Sequence, residues 1–70
     1  MYKAIGNKVI HEHRSGEVSD VAVCSQAQAA ADLMNRAGYL NDVKRQYTAS
    51  ARLFYKAECL PGFEWIQSHD

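Results

Sequence analysis

The stretch "VIHEHRSGEVSDVAVCS", residues 9–25, carries two histidines one residue apart and ends beside a cysteine. If residues 11–13 are extended, His11 and His13 share one face at a separation of about 7 Å, within reach of a single bound ion. Two imidazoles need further ligands, and the candidates Cys24, Cys59, His69 and Asp20 stand at no spacing that would bring them in. Metal signatures normally show paired ligand sets. The expected role of His11, Glu12, His13 and Arg14 is therefore a charged strand end beside a turn, which discourages edge pairing. Cys24 could be a nucleophile with His11 or His13 as base, but a reactive thiol needs an electropositive, partly exposed setting and an oxyanion site. Neither is written here, and Cys24 reads as a small buried apolar residue. There is no Gly-rich phosphate loop, no GxSxG and no zinc-hydrolase helix motif. No catalytic residue, metal or cofactor is expected, and the chain reads as a non-enzyme.

Two other sets could do chemistry by binding. Lys44, Arg45, Arg52 and Lys56 fall on one arc if residues 41–59 form a helix, where they could track phosphates with Tyr55 as a stacking ring. A solvated helix face accounts for the same cations, and Asp42 and Glu58 dilute them. The aromatic residues Tyr39, Tyr47, Phe54, Tyr55, Phe63 and Trp65 crowd the second half of the chain. Tyr and Trp are favoured at interfaces because they bring a large rigid area with a polar tip. Tyr47, Tyr55, Phe63 and Trp65 are the expected anchors of a partner-binding face, with Arg52 and Lys56 at its charged rim.

Seventy residues make one domain at most, and a chain of this length buries only about 60% of its unfolded surface. Eight basic residues balance eight acidic ones, so no global field holds DNA, RNA or an anionic membrane. With 47% apolar and 23% charged residues the chain has the composition of a folded protein. No apolar run reaches the length of a membrane span, and "MYKAIGNKVI" has neither a basic leader nor an apolar signal core. A cytoplasmic chain with two ordinary thiols, Cys24 and Cys59, and no membrane partner is the expectation.

The elements that must position these residues are legible in outline. Gly6-Asn7 and the later Gly16 punctuate three short runs near residues 2–5, 8–14 and 17–24, which predicts an antiparallel meander of three strands, or two if the first fails. Ser25 and Gln28 have capping-box spacing, so a first helix is expected over 25–37, with Ala27, Ala30, Ala31, Met34 and Ala37 on its buried face and Gly38 ending it. Asn41 or Asp42 can cap a second helix over 41–59, before Pro61-Gly62. That helix would bury the arc of Val43, Tyr47, Ser50, Ala51, Phe54 and Ala57, with Leu53 and Tyr55 on its shoulders. The tail, 60–70, is too apolar for a free end, and part of it should fold back. The fold class is α+β, order βββαα. In the second strand Val9, His11 and His13 share one face and Ile10, Glu12 and Arg14 the other, so alternation leaves the buried side open.

In "GNKVIHEHRSGEVSDVAVCS" through "AAADLMNRAG", starting at Gly6, the hairpin, the Val-Ala-Val-Cys strand end and the Ala-rich helix resemble the small ββα proteins of bacteriophages and prophages, a resemblance that covers about residues 5–38. The resemblance implies an accessory factor of a mobile element that binds a host protein and inhibits or redirects it. The expected function is a non-enzymatic protein-binding module whose partner is a host protein or a second copy of itself as a homodimer. The alternative is a small nucleic-acid-binding regulator using Lys44, Arg45, Arg52 and Lys56.

Overall fold

A computed structural model describes residues 1–67, and the strands appear where the turn glycines place them. Strands β1 (Tyr2–Ile5), β2 (Lys8–Glu12) and β3 (Val18–Val23) run as an antiparallel meander. Gly6 takes φ +60° while Asn7 stays on the negative side, the combination of a type II′ hairpin turn. The second reversal closes on His13: Gly16 N–H donates to the His13 carbonyl at 3.0 Å, and Gly16 itself has φ +91°. Helices α1 (Ala27–Asp42) and α2 (Tyr47–Glu58) follow. A two-residue strand β4 (Glu64–Trp65) then pairs with β3, giving one sheet in the order β1-β2-β3-β4. The architecture is α+β, and the returning tail supplies a fourth strand beyond the expected meander.

The open choice of face in β2 resolves to burial on both faces, beside a bulge in β3. Val9 pairs with Ala22 but Ile10 pairs with Asp20, so Val21 is an extra residue in β3. Val9 and Ala22 turn toward α1 and are fully buried there. Ile10 turns the other way and is still only 6% exposed. On that outer face Lys3 and Asp20 flank it across the strands, and the diagonal ion pairs Lys3–Glu12 (3.1 Å) and Lys8–Asp20 (3.2 Å) run over it. Both faces of β2 are thus covered, one by a helix and one by lysine stems, which removes the alternation a half-buried strand normally shows.

The core is made of small residues. Val9, Ala22, Cys24, Ala27, Ala30, Ala31, Met34 and Ala57 form it, and its largest fully buried side chains are Met34, Val9 and Cys24. Alanines let α1 lie close on β1 and β2, while α2 packs mainly on α1. Within that helix pair Ser50 is buried, and its hydroxyl donates to the Ala37 carbonyl at 2.7 Å.

Helix boundaries depart from the sequence expectation in three places. The N-cap of α1 is Gln26, without a side-chain cap bond, and not Ser25. Ser25 is held instead by the tail: its N–H donates to the Pro61 carbonyl at 3.0 Å, and its side chain abuts Gly62. Gln28 donates to the Asp32 carboxylate at 3.0 Å rather than reaching back to the helix start. Gly38 does not end the helix, which continues through Asn41 and Asp42, so neither of these caps α2. The left-handed residue after α1 is Arg45, with φ +54°, and Gln46 N–H donates to the Leu40 carbonyl at 2.8 Å. Because α1 takes these residues, α2 starts at Tyr47, and Val43, Lys44 and Arg45 lie in the connection between the helices.

Candidate interaction surface

Helix α2 meets α1 through Ala49, Ser50, Leu53, Phe54 and Ala57, a face spaced by three and four residues. The opposite face is therefore set by helical geometry. Tyr47, Ala51 and Tyr55 recur every four residues along it, and the two tyrosines are 61% and 67% exposed. Tyr47 and Ala51, expected on the buried arc, are thus on the solvent side. The reason is the rotation of the helix about its axis, which Ser50 fixes through its bond to the Ala37 carbonyl. Parallel to the tyrosine line runs a second one, Thr48, Arg52 and Lys56. The small Ala51 side chain leaves a shallow groove of about 500 Å³ lined by Thr48, Ala51, Arg52, Tyr55 and Lys56. The ion pairs among the described residues are Lys3–Glu12 and Lys8–Asp20, so Arg52 and Lys56 face solvent without a carboxylate partner there.

The remaining expected contact residues are dispersed. Phe63 packs half-buried against the core, edge-on to Trp65 at 5.0 Å between ring centroids, and Trp65 on β4 is 46% exposed. Lys44 and Arg45 do not extend the line of Arg52 and Lys56, since they belong to the turn before α2. The Lys44 ammonium stands 6.0 Å from the Tyr39 ring. The four cations therefore form no single helical stripe. Ala51 and Thr48 were not expected as contact residues; the four-residue recurrence of Tyr47, Ala51 and Tyr55 is the signal that marks the line.

The histidines form a ring column instead of a ligand set. His11 stacks on Tyr2 at 4.6 Å, His13 meets His11 edge-on at 4.3 Å, and His13 Nε2 lies 3.0 Å from the Ser19 hydroxyl. Burial lowers the pKa of His11, and the Met1 ammonium and His13 add to the same effect. Among the described residues no three His, Cys, Asp or Glu side chains converge on a point that could hold an ion; His69 lies outside those residues. The Cys24 thiol is buried and points to the Pro61 carbonyl at 3.5 Å, while Gln26 N–H approaches the same sulfur at 3.4 Å. It knits the start of α1 to the chain leaving α2. Cys59 is exposed, and both thiols are free. Among the described residues no helix is long and apolar enough to cross a membrane. Comparison with protein-family models, with curated proteins and with solved structures finds no significant match.

Proposed function

We propose that the chain is a non-enzymatic protein-binding module that docks an acidic, partly apolar segment of another protein along the outer face of α2. The observation that carries this reading is the line Tyr47-Ala51-Tyr55, open to solvent and bordered by Arg52 and Lys56. The Tyr55 ring beside the small Ala51 makes a seat for an inserted apolar side chain, with the exposed Tyr47 one turn earlier, and rings of this kind dominate binding energy when they become desolvated. The cations Arg52 and Lys56 select acidic neighbours on the partner and steer its approach. Trp65 and Phe63 at the β4 edge are a second set of anchors. The resemblance to mobile-element proteins adds that the partner is a host protein, inhibited or redirected by this contact, and the two free thiols fit a reducing cytoplasm.

A second copy is a poorer occupant. Antiparallel pairing of two α2 helices through Ala51 brings each Arg52 against its twin, a like-charge contact that opposes association.

The test is a binding titration with a host partner recovered on the immobilised chain. Tyr55→Ala and the double change Arg52→Glu, Lys56→Glu should each weaken binding at least tenfold while the amide spectrum stays that of the folded domain. Trp65→Ala should weaken it without unfolding. Unchanged affinity in the Tyr55 and charge-reversal variants would reject the α2 face. Binding to DNA or RNA that weakens steeply with salt, with a slope flattened by Arg52→Ala, Lys56→Ala, would establish the nucleic-acid reading in its place.

A further inference from the structure

A second concave site, sharing no lining residue with the α2 groove, lies between β1 and the last turns of α1. It is a half-open cleft of about 270 Å³ lined by Tyr2, His11, Met34, Gly38, Tyr39 and Asp42, with Met1 and Asn35 completing the wall. Four independent features give it a chemical character. Its walls are aromatic, the Tyr2 ring being braced by the stacked His11 at 4.6 Å. Its charged side chain is Asp42, which sits at the C-terminal end of α1 where backbone carbonyls already concentrate negative potential, and that last turn holds no basic residue. Its floor is Gly38, and a Cβ built there meets nothing within 4 Å. A helix-interior glycine lowers helix stability relative to alanine, and here no close packing explains it; what the missing side chain leaves is open space. Finally, the wall is held rigidly, because the Asn35 amide pairs with both backbone polar groups of Tyr2.

We propose that this cleft binds a small alkylammonium cation, a methylated ammonium group above all, with Asp42 as counter-charge, Tyr2 and Tyr39 as cation–π walls and Gly38 as the open floor. A cationic guest has two neighbouring cations to compete with: the Lys44 ammonium stands 6.0 Å from the Tyr39 ring, and the Met1 ammonium acts on His11. The Met1 ammonium donates to the Glu12 carbonyl at 2.9 Å, which fixes its position at the rim but leaves its charge in place. The Asp42 carboxylate acts on the Tyr2 phenol, whose pKa is raised by burial first and by that charge second, so the phenol stays neutral. Burial likewise lowers the pKa of His11, which disfavours a further positive charge at that wall. The volume suits a headgroup and not a drug-sized molecule. Such a group occurs both on free quaternary amines and on methylated lysine side chains.

Titration of the whole chain with tetramethylammonium chloride, followed by the amide signals of Tyr2, Asn35 and Gly38, tests the site; sodium chloride at equal concentration and neutral tert-butanol are the references. Saturable shifts at those amides with tetramethylammonium, absent with both references, are expected. Asp42→Asn should weaken the response at least fivefold, and Gly38→Leu, which fills the floor with a good helix former, should abolish it in a folded protein. No saturable shift, an equal response to tert-butanol, or an unchanged affinity in folded Asp42→Asn would overturn the proposal. A peptide with one trimethyllysine that binds more tightly than tetramethylammonium would mark a protein side chain as the source; weaker binding would mark a free amine. The α2 face takes no part in these measurements, so the two sites stand or fall separately.

Discussion

The side-chain amide of Asn35 acts as a surrogate strand for Tyr2. Tyr2 N–H donates to Asn35 Oδ1 at 2.6 Å, and Asn35 Nδ2 donates back to the Tyr2 carbonyl at 2.8 Å. Residues Met1 and Glu12 exchange the ladder bonds next to this position, so the polar groups of Tyr2 point away from β2. An edge strand with free backbone groups invites pairing with another chain, and Asn35 of α1 closes this one at Tyr2. Asn35→Ala should cost about 1–3 kcal/mol, the penalty for part-buried backbone groups left unpaired. Asn35→Asp keeps the acceptor and loses the donor, and should fall between. Urea denaturation orders the three proteins, and rapid exchange of the Tyr2 amide in Asn35→Ala would locate the loss; an unchanged midpoint would contradict it.

Gly38 and Arg45 are each in the other's preferred conformation. Gly38 lies inside α1 with free space where a Cβ would go, and Arg45 holds φ +54° in the turn that follows. Gly38→Ala should stabilise by about 0.5–1 kcal/mol through helix propensity. Arg45→Gly should stabilise by about 1 kcal/mol by relieving the left-handed backbone. The sites are separate, so the gains should add. Thermal melts check both, and a lower midpoint in either variant would refute that assignment.

Ile10 contributes more than the ion pairs that cover it. The charged groups of Lys3–Glu12 and Lys8–Asp20 are about half exposed, with side-chain exposures of 46–50%. Each pair should be worth less than about 1 kcal/mol. Ile10→Ala should cost about 2–3 kcal/mol, although it lies on the face away from the helices. Lys3→Gln, which keeps part of the stem, should barely move the urea midpoint, whereas Ile10→Ala should move it most. The reverse ranking would mean that charge, not apolar burial, holds the outer face.

Gly62 is required twice over. Its φ is +71°, and a Cβ there would stand 2.6 Å from the Ser25 hydroxyl oxygen. Gly62→Ala should destabilise by about 1–2 kcal/mol from the backbone alone, with the contact adding to it. In the double variant Ser25→Ala, Gly62→Ala the steric part should vanish and the backbone part persist. Full recovery in the double variant would show that the clash was the whole effect.

The pH dependence carries the mark of His11. Burial in the ring column, reinforced by the Met1 ammonium and His13, places its pKa below the ordinary 6.5. The unfolded chain therefore takes up this proton first as pH falls, so the contribution of His11 is complete above 6.5 and is lost as pH drops from 6.5 through the folded value. Titration of the His11 ring proton by NMR, alongside urea midpoints over that range, tests the sign. A folded pKa at or above 6.5 would reverse it.

Local rules were strong enough to write the meander. Gly6 and Gly16 can adopt backbone angles that other residues resist, and both turns fall where they stand. The buried face of α1 was legible for the same kind of reason, because Ala27, Ala30, Ala31, Met34 and Ala37 recur with the helical period. Helix ends were not. Ser25 carries a capping signal, yet its backbone and side chain are claimed by Pro61 and Gly62, thirty-six and thirty-seven positions further along the chain. Gly38 carries a stop signal, but an unobstructed glycine can also continue a helix, and here it does.

The candidate sites divide in the same way. Tyr47, Tyr55, Arg52 and Lys56 could be named from residue type and spacing, but the expected buried arc also held Tyr47 and Ala51, and Ala51 became a groove and Tyr47 an exposed ring only once Ser50 had docked α2 on α1. The cleft at Asp42 has no sequence signature, since Tyr2 and Tyr39 meet there only because Asn35 fastens β1 to the helix. From its sequence alone this protein had its hairpin turns, its three-stranded meander, its two helices and the apolar stripe of α1, all consequences of backbone sterics and periodicity within a few residues. Where helices end, how α2 is rotated and which rings share a cleft were decided by contacts between distant segments, because near-equal local alternatives are separated only by the partners that packing brings to them.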